Sequence, residues 1–142
     1  MAPFIRRKEM SVFRFLNGFL ILFLCFPAAA DRFRVESNTL FFDMSYTGAD
    51  GMWPEELKQS DVGQFSLWLM EHPSVNTVAV TGPGGFGPAG AAIAHKIIEF
   101  DLDTIAYGEC ASACANIFMA GGSRRVTRDA KLGFHRPGPV TV

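Results

Sequence analysis

The sequence predicts an α/β fold, a mostly parallel sheet assembled from repeating β-α units, and three observations predict it. "VNTVAVTG" (75–82) is a short β-branched run of the kind buried on both faces of a sheet. "DTIAYG" (103–108) is a second such run, and a helical stretch follows each of them. A last short strand, "KLGFH" (131–135), completes the alternation. Strand, helix, strand, helix, strand implies crossovers of one hand and neighbouring parallel strands.

The elements follow in order. At 142 residues, 49% hydrophobic and 19% charged, the chain is long enough for one globular domain and too apolar for a disordered one. Residues 1–30 read as a secretory signal peptide. Arg6, Arg7, Lys8 and Arg14 precede an apolar run from Phe19 to Phe26, and Pro27 ends it. Ala28 and Ala30 then supply the small residues of a cleavage site before Asp31. The rival is an uncleaved anchor, but the run is well short of the roughly 20 residues a spanning helix needs. The expected mature domain is therefore 31–142, periplasmic or secreted, with membrane contact only if the leader is retained.

"TLFFDMSYTG" (39–48) reads as a strand ending at Gly48. Pro54 opens a helix to about Met70, with Leu57, Phe65, Trp68 and Leu69 as its buried stripe, and His72-Pro73 ends it. Pro88 starts the next helix, to about Phe100, with Ala94, Ile97 and Ile98 on its apolar face and His95 off it. The third helix is "SACANIFMAGG" (112–122).

The mature chain carries nine Lys or Arg against thirteen Asp or Glu, a formal charge of −4. Five of those bases fall between Arg124 and Arg136, without the interleaved aromatics of a nucleic-acid groove, so they read as a solvated face. No nucleic-acid partner is expected. Cys110 and Cys114, four residues apart at a helix start, would have Cα atoms ~6 Å apart, within bridging range for an exported protein. Two cysteines and one histidine fall short of the four ligands of a structural zinc site.

Two readings compete for the glycine turn. Gly82, Gly84 and Gly87 form G-x-G-x-x-G after a strand and before a helix, and Glu109 lies where a ribose-binding acid belongs. That is a dinucleotide fingerprint, weakened because Pro83 and Pro88 remove amides the pyrophosphate would need. The other reading is acyl transfer. The glycines let a backbone N–H turn inward at Gly85. Ser112 stands at a helix N-terminus one strand later, with the Ala113 amide beside it. His135 follows at the carboxyl end of another strand, where open α/β sheets assemble sites. Singly, Ser112 is a good helix cap and His135 a turn residue. Their order and spacing favour a nucleophile and its base.

"GPGGFGPAGAAIAHKI", "YGECASACANIFMAGG" and "LGFHRPG" together resemble the Clp protease/crotonase superfamily, and most closely its exported, Clp-protease-like bacterial branch. The resemblance spans about Val75 to Gly138. It implies a spiral of β-α units, Ser112 as nucleophile, His135 as general base, and Gly85 and Ala113 as oxyanion donors. It also implies a peptide or other acyl substrate and no cofactor or metal, with self-association left open. Two departures stand out. Thr81-Gly82-Pro83 replaces the serine the family usually has before its proline, and the family's acidic triad member comes well after the histidine, in sequence absent here. Only seven residues follow His135, so the expected fold is incomplete on its C-terminal side. The expected hydrolase is weak or inactive, since disabling that acid lowers the rate roughly 10⁴-fold in a serine protease. A non-catalytic binding or scaffold domain of the same fold is the alternative.

Overall fold

The computed structural model describes residues 32–46 and 56–135. The leader with its cleavage site, and the predicted helix start at Pro54, lie outside the described residues. Within them the strands are β1 (Phe33–Glu36), β2 (Thr39–Asp43), β3 (Thr77–Gly82), β4 (Asp103–Ala111), β5 (Arg124–Val126) and β6 (Lys131–Gly133). The helices are α1 (Ser60–Glu71), α2 (Gly87–Glu99) and α3 (Ala113–Met119). The strand order is β1-β2-β3-β4-β5, with β6 also on β4. Every pairing is parallel except β1 with β2. This is the α/β class the alternation predicts.

β3 is buried along its whole length, which is why its sequence is a β-branched run without alternation. On one sheet face Leu40, Phe42, Val78, Val80 and Ala106 join Phe65, Ile93, Ile97 and Ile117 in the core. Phe42 stacks on Phe33 with ring centroids 4.4 Å apart and meets Phe65 at 6.4 Å. On α2 the buried residues are Ala89, Gly90, Ile93 and Ile97, whereas Ile98, expected on that face, is 64% exposed. Trp68 is half-buried, between Phe33 and His72.

Several element limits differ from the sequence reading, each for a local reason. The 39–48 strand stops at Asp43, whose Oδ1 accepts the Ser45 N–H at 2.8 Å and turns the chain. The 103–108 strand runs on to Ala111, because Gly108 at φ 60° forms part of a bulge rather than an end. The β3–β4 register accordingly shifts from Val80↔Ala106 to Gly82↔Cys110. The last strand is shorter than expected, and β1 and β5 were not expected at all.

Helix α1 begins at Ser60 instead of Pro54. Leu57 is buried, as its place in the apolar stripe required, but it lies in an extended bridge alongside Gly85. Its N–H donates to the Gly84 carbonyl at 2.7 Å, and the Phe86 N–H donates back to its own at 2.9 Å. Asp61, in the first turn of α1, accepts from the Lys58 N–H at 2.7 Å and pairs with Arg32 at 3.0 Å. Arg32 also donates to the Glu56 carbonyl at 2.8 Å. A nearly buried ion pair thus holds the strap that borders the glycine turn.

On the other sheet face Arg34 lies 4.1 Å over the Phe41 ring, and Phe41 meets Tyr107 edge-on at 5.9 Å. Burial, reinforced by the nearby Asp43 carboxylate and partly offset by Arg34, pushes the Tyr107 hydroxyl up to about 12. That hydroxyl has no hydrogen-bond partner among the described residues, so Arg34 acts on it by proximity of charge. A tyrosine that keeps its proton in the fold and loses it near 10 when unfolded adds stability that is intact below pH 10. The contribution is lost as pH rises from 10 towards about 12. Ultraviolet titration should show one tyrosinate forming near pH 12, and Tyr107→Phe should remove that step and flatten the fall in stability.

Candidate active site

Strand β4 becomes helix α3 across a single residue, Ser112, which holds φ 54° and ψ −121°. A non-glycine side chain in that region is strained and persists only where its surroundings over-determine it. Three contacts do so. The Ser112 N–H donates to the Gly133 carbonyl at 2.8 Å, which ties the turn to β6. Its carbonyl accepts the Asn116 N–H at 3.2 Å and so starts α3. Gly84 closes over it: a Cβ on Gly84 would lie 2.6 Å from the Ala111 oxygen and 2.7 Å from the Ala113 nitrogen.

Ser112 sits at the cap position of α3, yet its side chain makes no capping hydrogen bond. Its Oγ lies 2.6 Å from His135 Nε2 instead. His135 is delivered there by β6, which pairs with Glu109–Ala111 and ends at Gly133 opposite Ala111, two residues before the histidine. Gly133 permits this close approach, since a Cβ on it would stand 2.9 Å from the Ala111 Cβ.

Two backbone amides complete the arrangement. Among the described residues neither the Gly85 nor the Ala113 N–H has an acceptor. Gly85 holds φ 138°, and a Cβ there would lie 2.5 Å from the Leu57 nitrogen, so only glycine lets the strap run beside it. Gly85, Ala113, Ser112 and His135 line one cleft of ≈280 Å³, together with Gly87, Asn116 and Phe134. A nucleophile, a base in hydrogen-bond contact and two open amides on one hollow are the parts acyl transfer requires. The structure therefore brings together all four residues singled out for that chemistry.

Asn116 and Phe134 escaped the sequence reading. Asn116 stands one helical turn after Ser112, and that i+4 spacing was the available signal. Phe134 precedes His135 and is 64% exposed, which its place in an apparent strand concealed.

Cys110 and Cys114 are joined by a disulfide, Cα atoms 5.2 Å apart. Among the described residues no group of three or more His, Cys, Asp or Glu is placed to hold a metal, and no helix is long and apolar enough to cross a membrane. Arg124, Arg125, Arg128 and Lys131 are exposed.

The dinucleotide fingerprint finds other uses for its glycines. Gly82 passes against Met44, where a Cβ would come within 2.5 Å of the Met44 Cβ, and Gly84 seats on the Ser112 turn. At the start of α2, Pro88 has no N–H, and the Ala89 and Gly90 amides both go to the Phe86 carbonyl, at 3.1 and 3.2 Å. Beyond Gly87, the first turn of α2 therefore has neither of these amides free for a pyrophosphate. Glu109 is exposed, and its carbonyl is taken by the Thr81 hydroxyl at 2.9 Å.

No family model and no curated protein matches the chain. Among solved structures, an enoyl-CoA hydratase from Mycobacterium smegmatis aligns with a TM-score of 0.47 and 12% identity, over 72% of this chain and 48% of that one. The enoyl-CoA hydratase of the same organism in an iodide-soaked crystal gives 0.44 and 14%, with the same shares covered. The chain spans about half the length of these structures, 48% in each. Its α/β class rests on its own strand order and parallel pairing.

Proposed function

We propose that the domain is a serine hydrolase of peptidase type, belonging to the exported, Clp-protease-like branch its motifs resemble and acting in the periplasm or outside the cell. The observation that carries this reading is the 2.6 Å contact between Ser112 Oγ and His135 Nε2, made by a serine that forgoes the helix cap available to it. His135 Nε2 accepts the hydroxyl proton while Oγ attacks an acyl carbonyl. The Gly85 and Ala113 amides receive the oxygen as it becomes anionic. The imidazolium then protonates the leaving group, and water, deprotonated by the same nitrogen, releases the acyl group from Ser112.

Turnover is slow in this reading. His135 is exposed and the cleft is open, so water screens the charges that a closed site would strengthen. A fluorophosphonate probe should label the domain slowly and stoichiometrically, the adduct should map to Ser112, and Ser112→Ala should abolish it. Labelling that survives Ser112→Ala overturns the assignment. No labelling after prolonged incubation, with the fold intact, favours the non-catalytic binding domain.

A further inference from the structure

We propose that the Cys110–Cys114 bond is a positioning device for the nucleophile: it holds Ser112 in its strained turn and so keeps the hydroxyl against His135. The kinetic consequence rests on the hydrolase reading; the positional claim does not.

The bond lies squarely across the turn. Cys110 is the penultimate residue of β4, Cys114 the second of α3, and Ser112 is midway between them. Cys110 is anchored by the sheet, paired to Gly82 on one side and Leu132 on the other. α3 is seven residues long and lacks a side-chain cap, so its first turn is held by the burial of Ala113, Cys114 and Ala115, by the contacts of Ser112 with Gly133, Asn116 and Gly84, and by the disulfide. Unwinding there would let Ser112 leave φ 54° for an ordinary negative value, swing Oγ away from His135 and withdraw the Ala113 amide from the cleft. A covalent tie from the sheet to the first turn of α3 blocks that relaxation.

Two other roles fit less well. A bridge closing only residues 110–114 restricts little of the unfolded chain, so global stabilisation is a poor account of it. Both cysteines are fully buried, so the pair is not placed to exchange with an external thiol.

The test uses the full chain carrying C110A/C114A, with C110A/C114V as a second variant that fills more of the vacated space. Three readouts are compared with the wild type. In the ¹⁵N spectrum of His135, the signature of the Nε2–Ser112 hydrogen bond, defined by its loss in Ser112→Ala, should disappear. The melt should stay cooperative. In fluorophosphonate labelling, the rate at saturating probe should fall at least about 10-fold with the half-saturating concentration unchanged, because orientation is lost and the cleft is not. Ser112→Gly, which relieves the positive-φ strain, should also stabilise the wild type more than the double variant, since the untied turn has already relaxed.

A folded variant that keeps the His135 signature and labels at the wild-type rate overturns the proposal. So does failure of both variants to fold, since the bond would then serve the fold as a whole. If the wild type itself does not label, the hydrolase reading falls, and the His135 spectrum together with the Ser112→Gly comparison still decides the positional claim.

Discussion

His135→Ala should slow phosphonylation of Ser112 by about 10²- to 10⁴-fold, the usual contribution of a positioned general base. The contact at stake is the 2.6 Å pair of Nε2 and Oγ, without which the hydroxyl must lose its proton to water. His135 is exposed and borders an open cleft, so removing its ring leaves a gap that free imidazole can enter. Added imidazole should therefore restore part of the rate in His135→Ala and none in Ser112→Ala. Rescue separates a proton-transfer role from a packing role, because a ring needed only for shape would be replaced equally well by toluene. An unchanged labelling rate in His135→Ala would mean that another group activates the serine.

Gly84→Ala should destabilise the domain by on the order of 3 kcal/mol and abolish labelling in whatever protein still folds. Two penalties coincide. Gly84 holds φ 92°, which side-chain-bearing residues adopt at a cost, and its Cβ would meet the Ala111 oxygen, the Ala113 nitrogen and the Ser112 Cβ, all within 2.9 Å. Two of those atoms are backbone, so no rotamer change relieves the clash. The turn carrying Ser112 and the Ala113 amide must move instead. Gly87→Ala provides the contrast. It belongs to the same G-x-G-x-x-G, but a Cβ there meets nothing within 4 Å and no positive φ is involved. Denaturant midpoints of the two variants should differ widely at constant slope. A phosphate-cradling loop would instead make both glycines matter for binding and neither for the fold of the Ser112 turn.

The central elements were legible because their sequence signals have one source. β3 is buried on both faces and reads as an uninterrupted apolar run, and α2 follows it with helical spacing. The order glycine turn, serine, histidine was legible too, since parallel β-α units bring successive strand ends to one edge. What escaped reading has specific causes. β5 is "RRV", exposed throughout and defined only by its pairing with Thr104–Ala106. β1 is four residues long, too short for alternation to declare itself. Leu57 satisfied a helical stripe while serving an extended strap, because burial alone does not distinguish the two. Gly108-Glu109 looked like the end of a strand that in fact bulges and continues.

The two halves of the dyad hang from parts of the fold with unequal tenacity. Ser112 is rooted in β4, the neighbour of the fully buried β3, whereas His135 follows a three-residue outer strand whose Lys131 and Leu132 are exposed. Elements of that kind detach locally at a free energy well below that of global unfolding. Detachment of β6 would part the dyad, and on the proposed hydrolase reading the rate would scale with the joined fraction. Any molecule that lies along β6 and stays clear of the cleft would raise that fraction. Reactivity could then be tuned from the rim of the sheet, without a change in any reacting atom.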